Sequence, residues 1–341
     1  MNLPAVFERY RADIDRELRL ALAGRLSPLY DMLRYHLGWI DSQGKPLKNP
    51  AGKALRPTLC LLACEAVGGD CRRALPAAAA VELVHNYSLI HDDIQDDDAE
   101  RRHRPTVWSL WGKPQAINAG TAMRMLAGRT LWRLAESGIP LTKQQRVQSL
   151  LDEATLQLIE GQYLDISYES RFDICVDDYL KMVEGKTAAL MAVSTEAGAL
   201  LGTNDEALVG NFRDIGWNLG LAFQIKDDIL GIWGDQGKTG KPRGSDIRRR
   251  KKSLPIIYAL GKTNGEQKRE LVQAYHDGAI DEGGVAAVLR ILDSVDARSQ
   301  SNELAENYYR QARMLVEELA LPGAAKADLE EVGRFLVERD F

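Results

Sequence analysis

The amino-acid sequence predicts an all-α fold, and three observations lead to that prediction. Strong helix formers (Ala, Leu, Glu and Arg) are abundant throughout the 341 residues. Apolar residues recur at spacings of three and four, as in residues 126–134, 150–158 and 304–319. Alternating runs of β-branched residues, which a sheet requires, are almost absent from the sequence. We therefore expect helices to form nearly all of the regular structure.

The domain organisation follows from the breaks between the helical segments. These breaks are short and carry glycine or proline, for example at residues 44–50 and 234–244. The sequence shows neither a repeat of fixed period nor a flexible linker. Although a chain of this length often forms two domains, at roughly 100–200 residues each, we predict a single domain over residues 1–341.

Composition and charge argue against several classes of protein. Hydrophobic residues make up 45% of the chain, which favours a large core over disorder. The formal net charge of −5 gives no reason to expect nucleic acid as a partner, despite a basic run at Arg248–Lys252. No apolar run reaches the ~18 residues of a membrane span, and the N-terminal segment is too charged for a signal peptide. Since the four cysteines make no convincing disulfide framework, we expect a soluble cytoplasmic protein.

The first candidate site lies where an apolar stretch becomes acidic. The stretch Leu75–Ile90 is apolar over most of its circumference, as is Leu180–Gly202, so we expect both in the middle of the bundle. Five aspartates then fall within residues 92–98. On a helix, Asp92 and Asp96 project from one face a single turn apart, where two like charges repel unless a cation lies between them. A solvated acidic helix end is the alternative, but the apolar lead-in favours carboxylates at the mouth of a core.

A second acidic pair strengthens the prediction. Asp227 and Asp228 also end a largely apolar segment, Leu219–Ile225. Oxygen ligands without cysteine or histidine favour magnesium over zinc, and magnesium completes its coordination with substrate phosphates. If the two acidic ends face each other across an apolar interior, the ligand they predict is a diphosphate with a hydrophobic tail.

Basic residues that could bind a diphosphate occur near both acidic segments. Lys53 and Arg56 lie three residues apart at a predicted helix start, and Arg101 and Arg102 follow the first acidic segment. A guanidinium group matches phosphate oxygens in bidentate fashion, whereas lysine supplies a mobile point charge. Further candidates are Lys186, Thr187 and Lys241. Each of these alone is typical of a surface charge, and only the set points to a polyanion.

Taken in order, these segments form a recognisable set of seven motifs between residues 52 and 241. They are Gly52-Lys-x-x-Arg-Pro, His85, Leu89-Ile-His-Asp-Asp-x-x-Asp, Arg101-Arg102, Gly185-Lys-Thr, Phe223-Gln-x-x-Asp-Asp and Thr239-Gly-Lys. In this set the chain resembles the trans-type isoprenyl diphosphate synthases of the polyprenyl synthetase family. The resemblance implies an all-α bundle around a deep central cavity, a homodimer, and head-to-tail condensation of isopentenyl diphosphate with an allylic diphosphate.

The resemblance also implies a role for each matching residue. Asp92 and Asp96 would hold two magnesium ions on the allylic diphosphate, with Asp93 supporting them, and Asp227 would hold a third, assisted by Asp228. The residues that would contact the allylic diphosphate are Arg101, Lys186 and Lys241. Those that would bind isopentenyl diphosphate are Lys53, Arg56, His85 and Arg102. The reacting centre would be lined by Thr187 and Gln224.

Two positions depart from the family pattern. Gly231 stands where the second motif commonly ends in aspartate, so we expect weaker support for magnesium, with Asp235 as a partial substitute. Thr121 stands where relatives often have aspartate, and the sequence offers no account of that change.

Product length in this family depends on the residues that lead into the first acidic motif. Tyr87 lies five residues before Asp92, about 7–8 Å along a helix, next to the small Ser88. A bulky ring at that depth should stop chain growth early. The first acidic motif has no insertion between Asp93 and Asp96, which favours a product of twenty carbons over one of fifteen. We therefore expect geranylgeranyl diphosphate as the product, with farnesyl diphosphate as the alternative. A class I terpene cyclase and a non-catalytic regulatory subunit remain open as less favoured alternatives.

Overall fold

A computed structural model describes residues 3–47, 52–234, 243–276 and 280–338. Helices dominate this part of the chain, which confirms the predicted all-α fold. The α-helices are α1 (Ala5–Ala21), α2 (Pro28–His36), α3 (Leu55–Ala66), α4 (Leu75–Gln95), α5 (Val107–Trp111), α6 (Lys113–Leu131), α7 (Leu141–Tyr168), α8 (Val176–Val183), α9 (Ala189–Gly202), α10 (Glu206–Trp233), α11 (Ser245–Arg248), α12 (Leu254–Lys262), α13 (Gly265–His276), α14 (Glu282–Ser294), α15 (Ala297–Glu318) and α16 (Gly323–Glu338).

Three shorter helical segments and one hairpin complete the regular structure of the described residues. Cys71–Ala74 and Trp132–Leu134 are 3-10 turns, and Glu184–Ala188 is a π-helical turn. The hairpin pairs β1 (Glu100–Arg101) with β2 (Arg104–Pro105) in antiparallel register. It is the one sheet within these residues, and sequence reasoning did not predict it.

The chain divides into two compact units, one of which comprises residues 5–152 and 194–210. In this unit α4 packs against α1, α3 and α6 and is buried over most of its length, as its apolar circumference predicts. Small residues allow close packing here: a Cβ at Gly120 of α6 would lie 2.4 Å from the His91 ring of α4. The acidic end of α4 is therefore the end of a central helix.

The other unit comprises residues 1–4, 153–193 and 211–341. Its core joins residues of α8, α10 and α12, including Tyr179, Ile225, Ile229 and Ile257. The apolar stretch Leu180–Gly202 is not one continuous α-helix, because the π-helical turn separates α8 from α9. The prediction of one domain over residues 1–341 stays a prediction.

No helix within the described ranges is long and apolar enough to cross a membrane.

Candidate active site

The first acidic segment lies at the C-terminal end of α4. Asp92 occupies the last turn and is half-buried, whereas Asp96 caps the helix and is exposed. The Asp96 amide donates to the Asp92 carbonyl at 2.8 Å, which keeps the two residues one turn apart. The C-terminus of a helix is the negative end of its dipole, so carboxylates there are destabilising unless a cation compensates them. This end of α4 is therefore suited to binding a cation.

Asp93 has a different environment from its two neighbours. Its side chain is 1% exposed, and Oδ1 accepts a hydrogen bond from Nε of Arg101 at 2.7 Å. Oδ2 is buried without a hydrogen-bond partner among the described residues. Burial raises the pKa of Asp93 to about 6, although the Arg101 guanidinium opposes that change. Asp93 thus holds Arg101 in place beside the acidic helix end.

The hairpin that follows carries strain in its turn. Arg102 and His103 form the two-residue connection between β1 and β2, with φ angles of 53° and 59°. Such turns usually carry Asn-Gly, because positive φ is costly for residues with a Cβ. The Arg102 guanidinium packs on Gly52, where a Cβ would lie 2.9 Å from Nη1 of the arginine. A strained turn thus holds Arg102 against the glycine of the first basic motif.

Arg102 lies in a cluster with Arg56 and His85. Burial and the charges of both arginines lower the pKa of His85 well below its usual value, so this histidine is neutral. Glu82 lies one turn earlier on α4; burial raises its pKa, while both arginines favour its charged form. The structure therefore brings together three of the four residues predicted to bind isopentenyl diphosphate. Lys53, the fourth, is exposed.

His36 belongs to the same cluster and escaped sequence reasoning. Burial and the charges of Arg101 and Arg102 lower the pKa of His36 to about 3, while hydrogen bonding of the ring to the Asn86 side chain opposes that change. Asn86 also donates to Oε1 of Glu82 at 3.0 Å. A single histidine at the end of α2 gives no signal in the sequence, because its neighbours are distant along the chain.

The two residues predicted to limit chain length lie on α4 before the carboxylates. The Tyr87 ring is buried and meets the His91 ring edge-on, with centroids 5.5 Å apart. The Ser88 hydroxyl donates to the His85 carbonyl at 2.8 Å, so the side chain bonds back to its own helix. Ser88 lies one turn before Asp92 on the same face.

In the other unit, four hydrogen bonds surround Asp228 of α10. Oδ2 accepts from the Tyr179 hydroxyl at 2.7 Å and from the Leu254 amide at 3.0 Å. Oδ1 accepts from Nε2 of Gln224 at 3.0 Å and from Nζ of Lys251 at 3.2 Å. Because both oxygens of this buried carboxylate are used, Asp228 serves to position its neighbours.

Gln224 connects this network to the π-helical turn. Its Oε1 accepts a hydrogen bond from the Thr187 hydroxyl at 2.9 Å, while its Nε2 donates to Asp228, so the amide has one orientation. The turn approaches α7 closely, since a Cβ at Gly185 would lie 2.5 Å from the Gln157 carbonyl oxygen. π-Helical turns are frequent at functional sites. Here the turn presents Thr187 to Gln224.

Two lysines of this unit are paired with carboxylates. Lys186 of the π-helical turn forms an ion pair with Asp165 of α7. Lys251 pairs with Asp228, and although burial alone would lower the pKa of Lys251, nearby carboxylates raise it. Sequence reasoning missed Asp165, Tyr179 and Lys251, because each is an ordinary residue until the fold supplies its partner. Lys251 lies in the run considered above as a nucleic-acid patch.

Asp227 precedes Asp228 on α10 and is half-buried. Two other sequence predictions, Lys241 and Asp235, fall outside the described residues. Thr121 lies on the exposed face of α6.

The donor set at both acidic helix ends consists of carboxylate oxygens, which fits magnesium better than zinc or copper. Within the described ranges, no group of three or more His, Cys, Asp or Glu side chains lies close enough to hold a metal alone. Magnesium commonly binds one or two carboxylates and takes its other ligands from phosphates and water. The residues present therefore fit a magnesium ion that arrives with a phosphorylated ligand.

Comparison with known proteins agrees with this geometry. The family model for polyprenyl synthetase matches residues 38–292. The (2E,6E)-farnesyl diphosphate synthase of Mycobacterium tuberculosis is 40% identical over 322 residues, covering 93% of this chain and 88% of the relative. The geranylgeranyl diphosphate synthase of the same species is 43% identical over 271 residues, covering 80% and 76%. The crystal structure of a polyprenyl synthetase from Streptomyces coelicolor superposes with a TM-score of 0.91 at 36% identity, covering 98% and 100%. The chain belongs to the polyprenyl synthetase family.

Proposed function

We propose that this protein is a short-chain prenyltransferase that condenses isopentenyl diphosphate head-to-tail with an allylic diphosphate. The observation that carries the proposal is the pairing of two features on α4. The helix ends in the carboxylates Asp92 and Asp96, which are suited to binding a cation, and two turns earlier His85 joins Arg56 and Arg102. The first feature fits a magnesium-bound diphosphate, and the second fits a diphosphate held directly by guanidinium groups. A prenyltransferase of this kind uses two diphosphate substrates.

Bound magnesium would neutralise the negative charge that develops on the departing diphosphate. Asp92 and Asp96 would hold two ions and Asp227 a third. Asp93 would orient Arg101, and Asp228 would orient Gln224. Arg101, Lys186 and Lys241 would contact the allylic diphosphate. Lys53, Arg56, His85 and Arg102 would hold isopentenyl diphosphate in the orientation that attacks the allylic carbon. Thr187 and Gln224 would line the reacting centre, and the departing diphosphate would accept the proton that is lost.

A kinetic comparison of two variants tests these assignments. Arg56→Ala should raise KM for isopentenyl diphosphate at least about tenfold while changing KM for the allylic substrate little, because it removes one charge-assisted contact. Asp92→Asn should lower kcat about 100-fold or more, because it weakens charge stabilisation in the transition state. If Arg56→Ala affected both KM values equally, the assignment of the arginine cluster would be wrong.

We propose geranylgeranyl diphosphate as the product, with farnesyl diphosphate as the alternative, since relatives of both names match the chain. The buried ring of Tyr87 supports the shorter end of the family's product range. Tyr87→Ala should therefore lengthen the product by at least one five-carbon unit. Tyr309→Ala, at a tyrosine of similar burial on α15, is the control and should leave product length unchanged. Unchanged length in both variants would contradict the role of Tyr87.

We further propose a homodimer in the cytoplasm. The C-terminal half of α7 exposes Leu156, Ile159, Tyr163 and Ile166 at spacings of three and four, with Tyr163 70% exposed. Such a stripe is typical of a helix that packs against another helix. Ile159→Arg should shift the protein from dimer to monomer in sedimentation, whereas Leu26→Arg, at an isolated exposed leucine, should not. A wild-type monomer would contradict the proposal. Cell fractionation tests the location.

A further inference from the structure

The glycine that interrupts the second acidic motif is in contact with a carboxylate from elsewhere in the chain. Gly231 follows Asp227 by one helical turn, so the two share a face of α10. A Cβ built on Gly231 would lie 2.1 Å from Oδ2 of Asp246 and 2.3 Å from its Cγ. Real side chains never approach so closely. The carboxyl group of Asp246 therefore occupies the space that a side chain at position 231 would enter.

Hydrogen bonds to the backbone hold Asp246 in this place. The Gly244 amide donates to the Ile232 carbonyl at 3.0 Å, and the Ser245 hydroxyl donates to the Gly231 carbonyl at 3.1 Å. These two bonds attach the start of α11 to the last turns of α10. The Lys251 amide then donates to the backbone carbonyl of Asp246 at 2.9 Å, which fixes the other side of the short helix. The position of the Asp246 carboxylate thus follows from the backbone around it.

Asp246 also belongs to the electrostatic surroundings of the second acidic pair. The pKa of Lys251 is raised by Asp228, Asp246 and Asp165, against the effect of burial. The charge of Asp246 is therefore felt by the lysine that binds Asp228 directly. A carboxylate in this place adds negative charge one turn after Asp227, where the family motif commonly carries its last aspartate.

We propose that Asp246 supplies the third carboxylate of the second acidic motif, and that Gly231 is the glycine that makes room for it. On this account the motif is complete in space although it is interrupted in sequence. The proposal rests on the proposed function, because it concerns the magnesium and diphosphate that the reaction uses. It also replaces the expectation that Gly231 weakens magnesium support.

Thermal stabilisation by magnesium and inorganic diphosphate tests the proposal without measuring turnover. Magnesium is titrated at a fixed concentration of diphosphate, and the midpoint of the rise in Tm is recorded. Asp246→Asn keeps the shape but removes the charge, and its magnesium midpoint should rise about fivefold to tenfold. Asp214→Asn is the control, since it makes the same change on α10 about 20 Å before Asp227. Its midpoint should remain that of the wild type.

A relocation experiment asks whether position 231 and position 246 are interchangeable. Asp246→Ala removes all three atoms that a Cβ at Gly231 would meet. Gly231→Asp alone should lower the Tm of the unliganded protein, because it collides with Asp246. The double variant Gly231→Asp with Asp246→Ala should recover a magnesium midpoint within about threefold of the wild type, while Asp246→Ala alone should not.

The possible results distinguish a failure of this inference from a failure of the proposed function. A wild-type protein whose Tm does not respond to magnesium with diphosphate would overturn the proposed function and this inference with it. A normal wild-type response together with equal midpoints for Asp246→Asn and Asp214→Asn would overturn the role of Asp246 alone. If the double variant had the same magnesium midpoint as Asp246→Ala, a carboxylate at position 231 could not replace the one at position 246. That result would overturn the claim that Asp246 takes the place of an aspartate at position 231.

Discussion

Asp93 and Asp228 occupy the same place in their motifs, yet their hydrogen-bond partners differ. Each is the second aspartate of an Asp-Asp pair in an apolar helix, and each side chain is 1% exposed. Within the described ranges the Asp93 side chain has one hydrogen-bond partner, and burial raises the pKa of Asp93 to about 6. Asp228 accepts four hydrogen bonds. An Asp-Asp pair in a sequence therefore does not reveal how its buried carboxylate is compensated.

Helix ends explain part of the difference. Asp93 lies in the last turn of α4, where the helix dipole is negative and disfavours a carboxylate. Asp228 receives the amide of Leu254, the first residue of α12, where the helix dipole is positive. The carboxylate of Asp228 is thus stabilised by a helix N-terminus, a tyrosine, an amide and a lysine. Among the described residues, the Asp93 side chain accepts a hydrogen bond from Arg101 alone and its Oδ2 has no partner, so its charge is the less compensated of the two.

Removing each charge should give the largest contrast. Asp228→Asn should lower the free energy of unfolding by about 3 kcal/mol, because the amide nitrogen of asparagine cannot accept the hydrogen bonds that one carboxylate oxygen receives, and the half-buried Lys251 loses its partner charge. Asp93→Asn should cost about 1 kcal/mol or less, since loss of the Arg101 pair is offset by removal of a poorly compensated charge. Urea denaturation of both variants without ligands measures the difference. Equal losses would mean that the two carboxylates contribute equally to stability despite their different partners.

Two adjacent lysines extend the comparison, because Lys251 pairs with a carboxylate whereas Lys252 donates to backbone carbonyls. Lys252 donates to the carbonyls of Glu169 and Arg171, and burial lowers its pKa to about 8. The unfolded chain holds this proton more tightly than the folded protein does, so stability should rise as the pH increases from about 8 to about 10.5. Relative to Lys252→Met, the wild type should gain up to about 2–3 kcal/mol over that range.

Urea denaturation of both proteins at pH 7.5 and at pH 10 checks this expectation. A difference between wild type and Lys252→Met that stays constant or falls with rising pH would contradict it.

A single hydrogen bond of the Asp228 network should have a smaller effect. Tyr179→Phe removes the hydroxyl that donates to Asp228 and should cost about 2 kcal/mol, because the acceptor is charged. Tyr275→Phe is the matched control: its hydroxyl is also buried but has no hydrogen-bond partner among the described residues. That change should be neutral or slightly stabilising. Similar losses in both variants would mean that the network adds nothing beyond packing.

The smallest expected effect concerns the strained turn beside Asp93. His103→Gly should stabilise the protein by about 1 kcal/mol, since glycine adopts positive φ without the steric cost of a Cβ. His103→Ala retains the Cβ and should give no such gain. Thermal unfolding of the two variants compares them directly. If alanine stabilised as much as glycine, the turn would not be strained.

The same contrast shows which contacts can be predicted from the sequence. Asp92 and Asp96 were predictable as neighbours because a helix sets their spacing, and the apolar stretch Leu75–Ile90 that leads into them predicts that helix. That Arg56 and His85 would lie together was predicted only from the family resemblance. The contacts of Tyr179 and Lys251 with Asp228 join residues 49 and 23 positions apart, and no local pattern signals them. The Arg102–His103 turn lacks the Asn-Gly signal, so the hairpin was not predictable.

The interrupted second motif gives the same lesson. Along the chain, Gly231 predicts weaker support for magnesium, with Asp235 as a partial substitute. The structure places Asp246 against Gly231, because hydrogen bonds from Gly244 and Ser245 return the chain to the end of α10; Asp235 lies outside the described residues. A packing contact of this kind depends on the backbone path, which spacing does not reveal.

The most direct test of the account is the product made by the purified protein. The protein is incubated with magnesium, isopentenyl diphosphate and each allylic primer in turn, and the products are sized by chromatography after phosphatase treatment. We expect a single twenty-carbon alcohol. A fifteen-carbon product would retain the reaction and correct the product length, and products beyond thirty carbons would contradict the role of Tyr87. No elongation with any primer would contradict the proposed function and favour a regulatory subunit.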